Sequence, residues 1–534
     1  MNMKKIISST LMASMLLGSS VCSVMALEEN SVDKGESKIV AEVFDYGESV
    51  TSVVVDLGSV ISADELKEDA FEVFAKNEEP EACIGISTGK TYYEGSRNIT
   101  NMYVNSTSIP DGEADAEGQY VVIELKYGWK EYVDGVLTTV KQSNTCDYDI
   151  VMKDGAFSIF ESLNVLLDMH YTITSNQNLG NLKQGDQILL TNDDVYRPIA
   201  GQFSAGKSNG LTYRLYEPTL GEGERPLIVW FHGSGEGGLS NITHILCNKG
   251  GVGFATEEAQ EIFGGAYVLA PETPDNWTFA GKDYTEQAIA LIQDVIDNNN
   301  IDPNRVVIAG CSAGGYMTWQ TLLAAPDMFA AAVPICAPGI YTTEDFEAIK
   351  DVPIWMVHSK DDTTVDVEYS YANYYLLKEL GADVTLTLYD HVIGYDEGSD
   401  LIHTYSGHWS WVYALNNDPT NDKGQSLFEW IAEQTLANDE DTVVNPDENE
   451  PVVKPDEKDP VEINPSNNVT QQPSGDQPTD VDNNQTVSVP NTGDHLNVVL
   501  PVTLLVLSAA IGYVVLRKEK NAKTIRVYKN SFNV

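Results

Sequence analysis

The stretch that most constrains the fold is Val306-Val307-Ile308-Ala309 running into Gly310-Cys311-Ser312-Ala313-Gly314. Four apolar residues read as a buried strand, the glycine-flanked serine as a sharp turn, and the pattern from Ala313 to Ala325 as a helix. A serine hydroxyl is a poor nucleophile unless it is held exposed beside a base, and a strand-to-helix turn holds it so. Gly310 and Gly314 let that turn approach its neighbours, while the Ala313 amide, at the helix start, is placed to stabilise an oxyanion. Around it, apolar runs alternate with amphipathic ones from Arg197 to about Glu433. Strands are expected at Leu227 to Phe231, Ala266 to Ala270, Val306 to Ala309, Ala331 to Ile335, Ile354 to Val357 and Val384 to Leu388. Helices are expected at Tyr284 to Asp297, Ala313 to Ala325 and Val367 to Leu380, the last closed by Gly381. This alternation is that of an α/β domain with a mostly parallel sheet, placed at residues 195–437.

An oxyanion site needs a second backbone donor from a loop after an early strand. Phe231-His232-Gly233-Ser234-Gly235-Glu236-Gly237-Gly238 supplies that loop, with Gly233 or Ser234 as the donor. No GK[ST] or GxGxxG spacing makes it a phosphate loop, and His232 reads as a support for the loop rather than a base. After the strand Ile354 to Val357 come Asp361 and Asp362, and spacing alone leaves the choice of acid open. His391, His403 and His408 follow the last strand as candidate bases, since an unperturbed imidazole pKa of about 6.5 lets it take and return a proton near neutrality. Serine, aspartate and histidine in this chain order match the α/β-hydrolase arrangement, not those of chymotrypsin or subtilisin. Trp277 and Trp409 are candidate walls of an aromatic substrate pocket.

Asp302-Pro303-Asn304-Arg305, the run Gly310 to Trp319, and Phe329-Ala330-Ala331-Ala332-Val333-Pro334-Ile335-Cys336 together resemble bacterial esterases of the prolyl-oligopeptidase and dienelactone-hydrolase branches. Feruloyl-esterase-like enzymes with an immunoglobulin-like N-terminal domain belong to this group. The group's HGxxD motif corresponds to His358-Ser359-Lys360-Asp361-Asp362, with Ser359 replacing glycine. Its GHDSW-like motif corresponds to Gly407-His408-Trp409-Ser410-Trp411. The resemblance covers most of residues 200–435 and implies Ser312, Asp362 and His408 as catalytic triad, with no cofactor and no metal. It also implies a carboxylic ester as substrate. A prolyl peptidase of the same branch would carry a large propeller, for which the N-terminal region is too short. An inert adhesin would be expected to lack a triad member.

Short alternating stretches such as Val53 to Leu57, Tyr120 to Leu125 and Tyr171 to Thr174 make residues 38–178 an all-β sandwich, which the resemblance makes immunoglobulin-like. Between Gly155 and Met169 a helical excursion or long loop is expected. Residues 1–26 have Lys4 and Lys5, an apolar run and Val24-Met25-Ala26, the pattern of a secretory signal peptide. Residues 438–488 are rich in Pro, Asp, Glu and Asn and form no core, so they read as a spacer. Residues 489–534 join Val489-Pro490-Asn491-Thr492-Gly493, an apolar run over 496–516 long enough for a bilayer, and a basic tail. That order resembles Gram-positive cell-wall sorting signals, implying sortase and peptidoglycan as partners and a secreted, surface-anchored enzyme. Esters of plant or dietary polysaccharide fragments, too large to import, suit that location. The net charge of −48, from 80 acidic against 32 basic residues, argues against nucleic acid as a partner. Cys22 leaves with the signal, and the five cysteines that remain cannot all pair; Cys83 and Cys146 are the candidate pair.

Overall fold

The computed structural model describes residues 30–78, 91–128, 139–142, 163–238, 240–274, 276–277, 283–396 and 401–436. All lie in one compact unit, Met1–Ile463. The signal segment, Cys83 and Cys146, residues 155–162, the spacer and the sorting signal lie outside the described residues. No helix among the described residues is long and apolar enough to cross a membrane.

The N-terminal part is a two-sheet sandwich. One sheet runs in the order Val195–Tyr196, Lys38–Phe44, Gly47–Ser62, Glu117–Leu125, Ile99–Asn105; the other runs Gln187–Thr191, Asp168–Ser175, Phe71–Glu78, Thr91–Ser96. Alternation decides which face is buried: along Phe71–Glu78 every second residue turns inward, placing Phe71, Val73 and Ala75 against Val53, Val55, Ile123 and Ile173. The expectation for Gly155 to Met169 is corrected where it is described. Leu163–Leu166 is a strand paired antiparallel with Thr139–Gln142, not a helix. Val195–Tyr196, placed by sequence in the second domain, pairs parallel with Lys38–Phe44 and completes the sandwich.

The second part is an eight-stranded sheet flanked by helices. Its strands are β1 (Ser204–Ser208), β2 (Leu211–Tyr216), β3 (Arg225–Phe231), β4 (Tyr267–Glu272), β5 (Ile301–Cys311), β6 (Ala331–Ile335), β7 (Ile354–Ser359) and β8 (Val384–Tyr389). Their order is β1-β2-β4-β3-β5-β6-β7-β8, parallel from β4 to β8, with the β1–β2 hairpin antiparallel at one edge. That hairpin was not read as strand: β1 consists of small and polar residues, Ser204-Ala205-Gly206-Lys207-Ser208, and is buried nowhere along its length. The central strands carry near-continuous apolar runs, such as Leu227 to Phe231 and Val306 to Ala309, because both their faces are covered. The helices that matter here are α1 (Glu257–Phe263), α2 (Thr285–Asn298), α3 (Ala313–Ala324), α4 (Glu368–Glu379) and α5 (Leu427–Glu433). Gly381 takes φ 79° after α4, a conformation that a Cβ would strain.

The two parts share a core. Phe44 and Tyr46 of the sandwich are buried among Trp230, Ile245 and Leu246 of the hydrolase part, each buried aromatic contributing roughly 1.5–3 kcal/mol. Beside them the Arg197 guanidinium meets Glu48 through Nε at 2.5 Å and Nη2 at 3.2 Å, with the Glu48 side chain fully buried. Removing Arg197 takes the guanidinium away from a buried carboxylate, and breaking a buried ion pair is costly. Arg197→Ala is therefore expected to destabilise the protein by about 3–5 kcal/mol, read as a lower urea midpoint at constant slope, whereas Lys249→Ala, at the more open Lys249–Asp45 pair of 3.7 Å, is expected to change the midpoint little.

Candidate active site

Ser312 stands between β5 and α3 with φ 55° and ψ −117°, an arrangement that costs a non-glycine residue about 1–3 kcal/mol. The surrounding hydrogen bonds hold it: Ser312 N–H donates to the Ile335 carbonyl at 3.0 Å, and the Ser312 carbonyl accepts from Tyr316 N–H at 3.0 Å. The flanking glycines are sterically obligatory. A Cβ on Gly314 would overlap the Phe231 carbonyl, and one on Gly310 would press on the Gly314 carbonyl. The nucleophile is thus raised above the C-terminal ends of β3 and β5.

His408 Nε2 lies 2.9 Å from Ser312 Oγ, and His408 Nδ1 lies 2.7 Å from Asp362 Oδ2. With Nδ1–H donating to the carboxylate, Nε2 is left to accept the serine proton. Asp362 follows β7 and is itself over-determined. Its Oδ1 accepts the Thr364 and Val365 amides at 2.8 Å each. Its Oδ2 also receives Nε2–H of the buried His358 at 3.1 Å, while His358 Nδ1 accepts the Ser370 hydroxyl at 2.7 Å. Burial alone would raise the Asp362 pKa, but the hydrogen bonds from His358 and His408 outweigh it and hold the carboxyl well below the usual carboxylate range. His358 entered the sequence reading only as part of a motif. Its role in fixing the acid from beneath needs the fold, because Ser370 arrives from α4.

Asp361 faces elsewhere: it accepts from Ser359 Oγ at 2.6 Å and meets His391 Nδ1 at 2.9 Å. His391 is largely exposed, and the His403 side chain lies outside the described residues. His232 is buried, donates Nδ1–H to the Gly233 carbonyl at 2.8 Å and accepts the Thr273 amide on Nε2 at 3.3 Å. Burial pushes its pKa down to about 4, so it is neutral and supports the loop.

Two expectations are corrected. Gly233 is not available as an oxyanion donor, because its N–H is given to Glu236 Oε2 at 3.0 Å. Ser234 remains: it is exposed where Gly233, Gly235 and Glu236 are buried, and its amide has no partner among the described residues. Trp277 is not a pocket wall. Its ring is buried against Phe231 and His232, and its indole N–H donates to the His232 carbonyl at 3.0 Å. Trp409 is partly exposed next to His408 and stacks between Tyr405 and Trp411 at 5.2 and 5.8 Å. The Ala313 amide sits at the first helical position of α3, where helix geometry provides no acceptor. From the strand Leu163–Leu166, Asn164 N–H donates to the Gly235 carbonyl at 2.5 Å, so the N-terminal part touches the same loop.

Cys336, Asp362 and His408 present three possible ligand atoms within 4.8 Å of one another. Their chemistry does not suit a metal. His408 and Asp362 already share a hydrogen bond, and burial pushes the Cys336 thiol far above the range in which it would ionise. Cys311 is likewise a buried thiol outside any disulfide.

An α/β-hydrolase sheet with a strained serine, a histidine and a carboxylate in hydrogen-bonded sequence at its C-terminal edge defines the class: a serine hydrolase with an immunoglobulin-like N-terminal domain. Known proteins agree. Residues 36–186 match the family described as esterase Ig-like N-terminal domain, and residues 275–374 the prolyl oligopeptidase family. A solved thermostable esterase superposes with a TM-score of 0.58 at 27% identity, over 75% of this chain and 99% of that one. A poly(3-hydroxybutyrate) depolymerase of Ralstonia pickettii is 30% identical over 146 residues, which is 24% of this chain and 29% of that protein. A bifunctional acetylxylan esterase/xylanase of Neocallimastix patriciarum is 27% identical over 92 residues, or 17% of this chain and 13% of that protein. The chain thus spans less than half the length of the curated relatives it matches.

Proposed function

We propose that this protein is a carboxylesterase in which Ser312 attacks the ester carbonyl, His408 takes its proton, and Asp362 stabilises the imidazolium. The observation that carries the reading is the unbroken sequence Ser312 Oγ, His408 Nε2, His408 Nδ1, Asp362 Oδ2, at 2.9 and 2.7 Å. His408 returns the proton to the leaving alcohol, and a water then takes the alcohol's place and releases the acid by the reverse route. The Ser234 and Ala313 amides receive the developing oxyanion. No metal or organic cofactor enters this chemistry.

The substrates in this reading are acyl or feruloyl esters of carbohydrates. Supporting it are a relative described as an acetylxylan esterase/xylanase and the aromatic stack of Trp409, Tyr405 and Trp411 beside His408. The signal-like start, the acidic spacer and the Val489 to Gly493 motif with its apolar run and basic tail favour export and attachment to a Gram-positive cell wall by a sortase. A peptidase reading is kept for one reason, the match to the prolyl oligopeptidase family. The test is hydrolysis of acetyl, long-chain acyl and feruloyl esters and of a prolyl peptide amide. Ester turnover with little amide cleavage is the expected result. Preferred cleavage of the prolyl amide would make the protein a peptidase, and no turnover of any of them would remove the enzymatic reading.

A further inference from the structure

The oxyanion loop passes the nucleophile closely: a Cβ built on Gly233 would stand 3.9 Å from Ser312 Cβ. Two successive peptides set which amide of this loop faces the reacting carbon: Glu236 holds the N–H of the His232–Gly233 peptide, and His232 Nδ1–H holds the carbonyl of the Gly233–Ser234 peptide, whose N–H is that of Ser234. Glu236 is 7% exposed. Its Oε2 accepts Gly233 N–H at 3.0 Å and its Oε1 accepts Asn248 Nδ2–H at 2.6 Å. Asn248 is buried too, and its Oδ1 accepts Gly250 N–H at 2.7 Å at the start of the helical turn Gly250–Gly253. The carboxylate therefore ties the loop to a rigid neighbour through two different oxygens.

We infer that Glu236 is a positioning residue for the oxyanion hole: it draws the Gly233 amide inward so that the next amide, Ser234 N–H, is left facing Ser312 as the second donor beside Ala313 N–H. The inference rests on the esterase reading above. A carboxylate is needed here rather than an amide, because both of its oxygens must accept. A glutamine at 236 has one acceptor and one donor, so either the Gly233 bond is lost or its NH₂ meets the Asn248 NH₂. Changing both residues restores the pattern. In Glu236→Gln/Asn248→Asp the glutamine oxygen accepts Gly233 N–H, its NH₂ donates to Asp, and the second carboxylate oxygen accepts Gly250 N–H.

The test uses the full chain with p-nitrophenyl acetate as substrate, a trifluoromethyl ketone as oxyanion analogue, and a phosphonate that titrates competent Ser312. Removing one oxyanion donor lowers kcat by about 10²–10³-fold, so Glu236→Gln is expected to lose on the order of 10²-fold in kcat and in ketone affinity. Its KM and its titratable serine should stay near wild type. The double variant is expected to recover most of the loss. Wild-type kcat in Glu236→Gln overturns the proposal, as does a loss that the double variant, folded to the same Tm, fails to recover. A wild type that hydrolyses no ester overturns the esterase reading and this inference with it, whereas active wild type with an unaffected Glu236→Gln overturns the inference alone.

Discussion

Ser312→Ala is expected to lower kcat for the best ester by about 10⁶-fold, with the folded protein otherwise intact. The size follows from what the substitution removes. Without Oγ no acyl-enzyme forms, and His408 at 2.9 Å has no proton to accept from the chain, so only the oxyanion amides and substrate binding remain to assist water. Stability should hardly change, because alanine keeps the Cβ that makes φ 55° unfavourable and therefore neither relieves nor adds strain. Calorimetry and single-turnover kinetics check both halves, and mass spectrometry after phosphonate treatment should find no adduct. Residual activity above about one part in 10³ would mean that another residue supplies the nucleophile.

Asp362→Asn is expected to lower kcat by about 10⁴-fold, and the hydrogen bonds around Asp362 say why repair is difficult. The asparagine oxygen is best placed where Oδ1 accepts the Thr364 and Val365 amides. Its NH₂ then points at His408 Nδ1 and His358 Nε2, both of which donate in the native arrangement. His408 must move its proton to Nε2, where it donates to Ser312 instead of accepting from it. Turning the amide over restores His408 but gives up two backbone bonds. The same residue sets an acid limit. Because the folded-state pKa of Asp362 is depressed, by bonds from His358 and His408 that exceed the opposing effect of burial, its ionised form contributes stability that is fully present above the unfolded aspartate value of about 3.9 and is lost as pH falls below it. In Asp362→Asn that part of the acid sensitivity should be absent. Urea midpoints at pH 7 and pH 3 measure it, and an unchanged pH dependence would remove Asp362 as its origin.

Legibility tracked how local each feature is. The strand, turn and helix around Ser312 were readable because apolar runs, glycines and the small Ala313 all lie within one short stretch, and the steric demands met at Gly310 and Gly314 act between residues of that stretch and the neighbouring strand. The central strands were readable because burial on both faces leaves no alternative composition. The β1–β2 hairpin was not, since an exposed edge tolerates residues that also suit loops. The strand Leu163–Leu166 was missed because its apolar residues fit a helix period equally well, and only pairing with Thr139–Gln142 separates the two.

By itself the sequence determined that this chain has two differently patterned folded regions, that a serine sits on a strand-to-helix turn, and that an aspartate and a histidine follow it in order. Only the tertiary structure decided which partners each group meets. It turned Asp362 toward His408 and Asp361 toward His391, gave the Gly233 amide to Glu236 and left that of Ser234, buried Trp277 behind the loop, and set His358 beneath the acid. The physical reason is that hydrogen bonds are short and directional. Spacing along the chain can say which residue types are at hand, but a choice between adjacent residues is made by the orientation of a single peptide or side chain, fixed by neighbours that are distant in sequence.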